Sequence, residues 1–150
     1  MKGVDQAMQI YLDTSVLVSV YIPEKHSKSI LDVLHDTKER PMVSRLAETE
    51  FYAALASKIR TKELSTSAVK TAISMFRHHI ATLIYENVYI TDSVFTTAMD
   101  FLSQRTTNLR TLDALHLACS HIINAKIVTA DKILAKSAEQ LNIPVKLLLS

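Results

Sequence analysis

Residues 8–22 read MQIYLDTSVLVSVYI. The first six, Met8–Asp13, form a short apolar run closed by an acid. A run this short, without strict alternation, suits a strand buried on both faces. From Thr14 to Tyr21 the spacing turns helical, and Pro23 stops it. The chain thus opens as a strand, an aspartate at its carboxyl end, and a helix. Working outward, the same unit recurs. A helix is expected over Ser27–Lys38, a brief strand at Pro41–Ser44 (PMVS) and a helix over Leu46–Arg60. Ser65 caps a helix running to about Thr82. Strand Asn87–Ile90 (NVYI) and helix Asp92–Arg105 follow, then helix Leu112–Asn124 capped by Thr111. Strand Lys126–Thr129 (KIVT), helix Lys132–Leu141 and strand Pro144–Leu149 (PVKLLL) close the chain. Asn142 suits the left-handed position after a helix that glycine usually takes. Alternation from end to end implies an α/β fold, a parallel sheet with helices on both faces. In such sheets ligands bind beyond the carboxyl ends of the strands, where strand order reverses.

Composition narrows the chemistry. The 150 residues fit one domain, with residues 1–7 read as an N-terminal tail and 8–150 as the domain. The start of the chain lacks the apolar core and cleavage site of a signal peptide. No stretch approaches the ~18 apolar residues of a membrane span. The one cysteine, Cys119, cannot form an intrachain disulfide, and a reducing cytoplasm is the simplest compartment. A net charge of +2 is compatible with nucleic acid without demanding it. The only glycine is Gly3. Loops that cradle phosphate need glycines so that backbone can approach the ligand, so P-loop and dinucleotide-binding readings fall away. Any activity must come from side chains.

Four acids stand at the privileged ends. Asp13 closes the first strand and Asp131 follows the fourth (IVTAD). Asp113 lies in the first turn of its helix (RTLDALHLA), and Glu50 lies early in the helix after the second strand (VSRLAETEF). Each has an ordinary explanation. Asp13 and Asp131 suit helix N-caps, Asp113 is favoured by the helix dipole, and Glu50 has Glu48 as a rival. Together, clustered carboxylates repel one another and gain a reason to coexist if they hold a cation. Oxygen ligands without His or Cys suit Mg²⁺ or Mn²⁺. The natural reaction for such a site is hydrolysis of a phosphodiester.

The segments IYLDTSVLVSVYIPE, VSRLAETEFYAAL, RTLDALHLACS and IVTADKILAKSAEQLNIPV resemble the PIN domain family, especially VapC-type toxins of prokaryotic toxin–antitoxin pairs. The resemblance spans Met8 to Leu149. It implies a PIN-like three-layer α/β sandwich with a five-stranded parallel sheet in the order 3-2-1-4-5. It also implies a Mg²⁺- or Mn²⁺-dependent endoribonuclease, a homodimer and a cognate antitoxin partner. Asp13, Glu50, Asp113 and Asp131 match the four acids in turn, as catalytic and metal-holding residues. Thr129 and Ser15 match supporting polar positions. Glu50 keeps a family-like spacing of six from Ser44 and precedes AAL, which favours it over Glu48. Asn142 replaces a usual glycine.

Positively charged candidates for RNA phosphate contact are Arg45, Arg110 and Lys132, nearest the acidic motifs. Lys58, Arg60 and Lys62 read as a solvated face. His116, three residues beyond Asp113, is within reach of the site but reads first as a structural residue of an apolar helix. Thr14 has no strong claim to chemistry, and Cys119 reads as core. Val69, Ile73, Phe76 and Ile80 form a stripe whose default is packing. A contrasting reading is a catalytically silent PIN-like module that binds RNA or protein, and the intact set of four acids argues against it. A receiver domain would need an early acidic pair, and a D-x-D phosphatase a second acid where Ser15 stands. Neither is present.

Overall fold

The computed structural model describes residues 8–104 and 107–149. Its elements are β1 (Ile10–Leu12), α1 (Thr14–Tyr21), α2 (Ser27–Asp36), β2 (Met42–Ser44), α3 (Arg45–Arg60) and α4 (Thr66–Ala81). They continue with β3 (Glu86–Val88), α5 (Asp92–Ser103), α6 (Thr111–Ile122), β4 (Lys126–Thr129), α7 (Lys132–Gln140) and β5 (Val145–Leu147). The strands form one parallel sheet in the order β3-β2-β1-β4-β5. The chain runs outward from β1 to β3 and then returns to β1's other side. The order therefore reverses between β1 and β4, whose register pairs Leu12 with Val128.

Strand side chains alternate between two cores. Ile10, Leu12, Val43 and Val128 face one cluster with Phe51, Leu55, Val69 and Phe76 of α3 and α4. Tyr11, Met42 and Ile127 face the other, with Ala98, Leu117 and Leu134 of α5, α6 and α7. This two-sided burial explains the continuous apolar runs. It also leaves only the strand ends free for polar work.

Strands are shorter than their apolar runs. The third is Glu86–Val88 rather than Asn87–Ile90. The Glu86 amide donates to the Pro41 carbonyl (2.9 Å) and Val88 pairs with Ser44, where β2 ends. Beyond that point Tyr89 has no ladder partner and is 71% exposed. Helix α5 ends at Ser103, and both Arg105 and the tail 1–7 lie outside the described residues. Four helices end on a left-handed residue that is not glycine, namely Lys62, Leu83, Asn124 and Asn142. At Asn142, with φ 57°, the Ile143 amide closes the helix on the Ala138 carbonyl at 2.8 Å. No helix of the described residues is long and apolar enough to cross a membrane.

Candidate active site

Asp13 leaves the end of β1 as the N-cap of α1, and its side chain is 5% exposed in a sheet-end niche. Its Oδ1 accepts from the Ser15 hydroxyl (2.7 Å) and the Val16 amide (3.2 Å), and its Oδ2 accepts from the Thr129 hydroxyl (2.5 Å). Burial raises the Asp13 pKa, while these hydrogen bonds, that of Thr129 foremost, pull against the rise. Asp131 leaves β4 in the same manner and caps α7. Its Oδ1 accepts from the Ile133 (2.8 Å) and Leu134 (3.2 Å) amides. The Thr129 hydroxyl joins the two acids. It donates to Asp13 and accepts from the Asp131 amide at 3.0 Å. Both aspartates are thus helix caps, and the capping leaves their lone pairs only partly used.

Glu50 reaches the same end of the sheet from the second turn of α3, which is aimed by its own N-cap Ser44. Glu50 Oε1 accepts from the Thr14 hydroxyl (2.8 Å) and lies 2.5 Å from His116 Nε2. Burial pushes the Glu50 carboxyl up, but the hydrogen bonds from His116 and the Thr14 hydroxyl outweigh it and hold the pKa below its ordinary value. Its rival Glu48 is buried and tied to Arg45 at 2.8 Å. Asp113, half-buried in the first turn of α6, has its pKa raised by burial, then by the charges of Asp131 and, more weakly, Asp13. Carboxylates from two other elements thus bear on Asp113.

Glu50, Asp113 and Asp131 line one cavity of about 790 Å³ together with Arg110 and Asn108. Asp13 is the buried member, linked to Asp131 through Thr129. Hard oxygen donors sharing a cavity fit a cation such as Mg²⁺ or Mn²⁺. Among the described residues, however, no three His, Cys, Asp or Glu are already gathered into a metal-holding group. The fit is one of donor chemistry and shared cavity.

The three cationic candidates separate. Arg110 lines the acidic cavity. Lys132 is exposed and lies outside that lining. Arg45 pairs with Glu48 and lines a different cavity of about 380 Å³ with Tyr52 and Arg77, so the fold does not bring it to the acids. Lys58 is not simply solvated. It is partly buried between Glu24 (3.0 Å) and Glu63 (3.2 Å), partners that raise its pKa. Cys119 is fully buried, and burial pushes its thiol up to about 11.

The structure brings His116 and Thr14 against Glu50 and sets Tyr11 and Ser44 behind His116, contacts that the sequence did not display. His116 is 4% exposed. Its Nδ1 lies 2.6 Å from the Tyr11 hydroxyl, which lies 2.8 Å from Ser44 Oγ. The one readable signal was the spacing of three between Asp113 and His116, which puts both on one helix face. Tyr11 is indistinguishable in sequence from any buried strand residue.

Several solved structures share the fold. VapBC2 from Rickettsia felis, bound to a DNA fragment from its promoter, superposes with a TM-score of 0.69 at 14% identity, covering 95% of this chain and 100% of that one. VapC20 of Mycobacterium tuberculosis, a sarcin–ricin loop cleaving toxin, gives 0.67 at 13% identity, covering 86% and 95%. FitAcB from Neisseria gonorrhoeae gives 0.66 at 16% identity, covering 91% and 96%. At such identities the likeness is one of fold. No curated protein matches the chain by sequence. Residues 10–140 match the PIN domain, and the strand order is the one that the resemblance implied. This chain belongs to the PIN domain family.

Proposed function

We propose that this protein is a Mg²⁺- or Mn²⁺-dependent endoribonuclease and the toxin of a toxin–antitoxin pair. The observation that carries the reading is the convergence of Glu50, Asp113 and Asp131 on one cavity, with Asp13 held beside them by Thr129. Membership of the PIN domain family and a fold shared with toxins and their complexes support it. Asp13, Glu50, Asp113 and Asp131 would hold the cation. A divalent ion supplies Lewis acidity and charge neutralisation to phosphodiester hydrolysis. Ser15 and Thr129 keep the Asp13 carboxylate oriented, and Arg110, on the cavity wall, meets a backbone phosphate. The acids exclude an unaccompanied polyanion from the cavity, so cation and RNA bind together. An exposed RNA loop is the substrate class, because its bases are unpaired and accessible. The partners are a cognate antitoxin and a second copy of this chain, in the cytoplasm.

The test is cleavage of a mixed RNA pool with Mg²⁺, with Mn²⁺ and with chelator, by the wild type and by a folded Asp13→Asn/Asp113→Asn variant. Metal-dependent cutting that vanishes in the variant is expected. Equal cutting by both proteins would overturn the site, and no cutting together with no Mn²⁺ binding would favour a binding module.

A further inference from the structure

Three hydroxyl and imidazole groups behind Glu50 form a chain whose proton positions can be counted. Ser44 is fully buried. Its Oγ accepts the Ala47 amide at 3.0 Å and lies 2.8 Å from the Tyr11 hydroxyl. Tyr11 is also fully buried, and its oxygen lies 2.6 Å from His116 Nδ1. If Tyr11 donated to Ser44, the Ser44 proton would be left without an acceptor in an apolar surround, which is costly. Ser44 therefore donates to Tyr11, and Tyr11 donates to His116 Nδ1. The adjoining Cys119 thiol is too weak a partner to reverse that direction. With Nδ1 accepting, the ring proton sits on Nε2 and is donated to Glu50 Oε1 at 2.5 Å. The opposite tautomer would set two acceptors against each other at that distance. The Thr14 hydroxyl donates to the same Oε1 (2.8 Å) and sits 3.3 Å from Nε2, as a secondary acceptor of the same proton would.

From this geometry we infer that Tyr11 and His116 are positioning residues, a one-way hydrogen-bond relay from the cap of α3 through β1 and α6 that locks the Glu50 carboxylate toward the cavity. The relay pins Oε1 with two donors and leaves Oε2 as the oxygen presented to a ligand. Three elements thereby set the direction of a side chain that α3 alone would leave free to rotate, since a lone glutamate has three flexible torsions. The inference rests on the proposed cation site for its functional consequence, but its proton arrangement is independent of any cation.

Nitrogen NMR of labelled, metal-free protein reads that arrangement directly, with the His116 resonances identified by their loss in His116→Gln. A protonated Nε2 and an unprotonated Nδ1 are expected, and Tyr11→Phe should shift the Nδ1 resonance by removing its donor while Glu50 keeps the proton on Nε2. A protonated Nδ1, or a ring indifferent to Tyr11→Phe, overturns the relay. Titration with Mn²⁺ alone supplies the second readout. Partners that orient a ligand typically alter metal affinity about 10- to 100-fold, so Tyr11→Phe and His116→Leu should weaken Mn²⁺ by that factor. His116→Gln, which keeps an N–H for Glu50, should recover part of the loss. Circular dichroism and urea melts confirm that each variant is folded. Unchanged Mn²⁺ affinity in folded Tyr11→Phe and His116→Leu also overturns the relay's role. If the wild type binds no Mn²⁺, the cation reading of the cavity fails, and the ring tautomer alone decides the relay.

Discussion

Thr129→Val tests how the buried aspartate is tolerated. The substitution keeps shape and removes one hydroxyl from a fully buried side chain. That hydroxyl donates to Asp13 Oδ2 at 2.5 Å and accepts the Asp131 amide at 3.0 Å. A hydrogen bond to an ionised group contributes about 1.5–3 kcal/mol, and an ordinary one about 0.5–1.5 kcal/mol. The metal-free variant should lose about 2–4 kcal/mol at neutral pH. The loss should depend on pH. Burial already raises the Asp13 pKa, and the Thr129 hydrogen bond opposes that rise, so the variant's Asp13 is raised further. A carboxyl raised in the folded state binds its proton more tightly folded than unfolded. Stability is then fully present below the unfolded pKa and falls as pH climbs through the folded pKa. The gap between wild type and variant should therefore widen with pH. At acid pH, where Asp13 is protonated in both, it should shrink toward the roughly 1–3 kcal/mol of two neutral hydrogen bonds. Urea denaturation across pH in chelator measures the gap, and a carbon NMR titration of Asp13 measures the shift. A gap that is flat with pH, or one that narrows as pH rises, would refute the role assigned to Thr129.

Other outcomes follow from the same site. Asp113 is raised by burial and by Asp131, so its charge weakens the metal-free fold above its folded pKa. Asp113→Asn should melt higher than wild type in chelator at neutral pH, and a lower melting temperature would contradict the repulsion. Mn²⁺ at 100 times its Kd should stabilise the wild type by about 2.7 kcal/mol, or roughly 5–10 °C for a chain of this size, and the Asp113→Asn/Asp131→Asn variant by clearly less. Arg110→Ala should lower the salt slope of RNA binding by about 1, as for one lost phosphate contact, whereas Arg45→Ala, on the other cavity, should leave it unchanged. Asn142→Ala should cost about 1 kcal/mol in a urea melt, because alanine resists a left-handed backbone, while Asn142→Gly should be near neutral.

Local patterns made much of the fold legible. Apolar runs of strand length, helical spacing between them and turn residues such as Pro23 and Asn142 are read within a few residues of one another. The acids Asp13 and Asp131 were legible because each closes an apolar run, and a polar residue at a strand's carboxyl end is conspicuous against a two-sided core. Glu50 was less so, since only its spacing from Ser44 set it apart from Glu48. The structure separates them by burial, tying Glu48 to Arg45 and turning Glu50 toward His116. Arg45 and Arg110 looked equivalent in sequence. Only packing reveals that α3 carries Arg45 to a different cavity.

By itself, then, the amino-acid sequence determined the alternation of strand and helix, the two-sided core, the resemblance to the PIN domain and the four acids at element ends. The alternation and the core follow from periodicity and the acids from each residue's position within its own segment, while the resemblance rests on the motifs themselves. Tertiary structure alone decided what lies 33, 66 or 105 residues apart in sequence yet within hydrogen-bond distance in space, as Ser44, Glu50, His116 and Tyr11 do. Tyr11 is an apolar-run residue until the sheet pairs β1 beside β2 and α6 covers that face, and only then does its hydroxyl have two partners. Hydrogen-bond direction depends on every partner being present at once, and no local pattern along a chain records that.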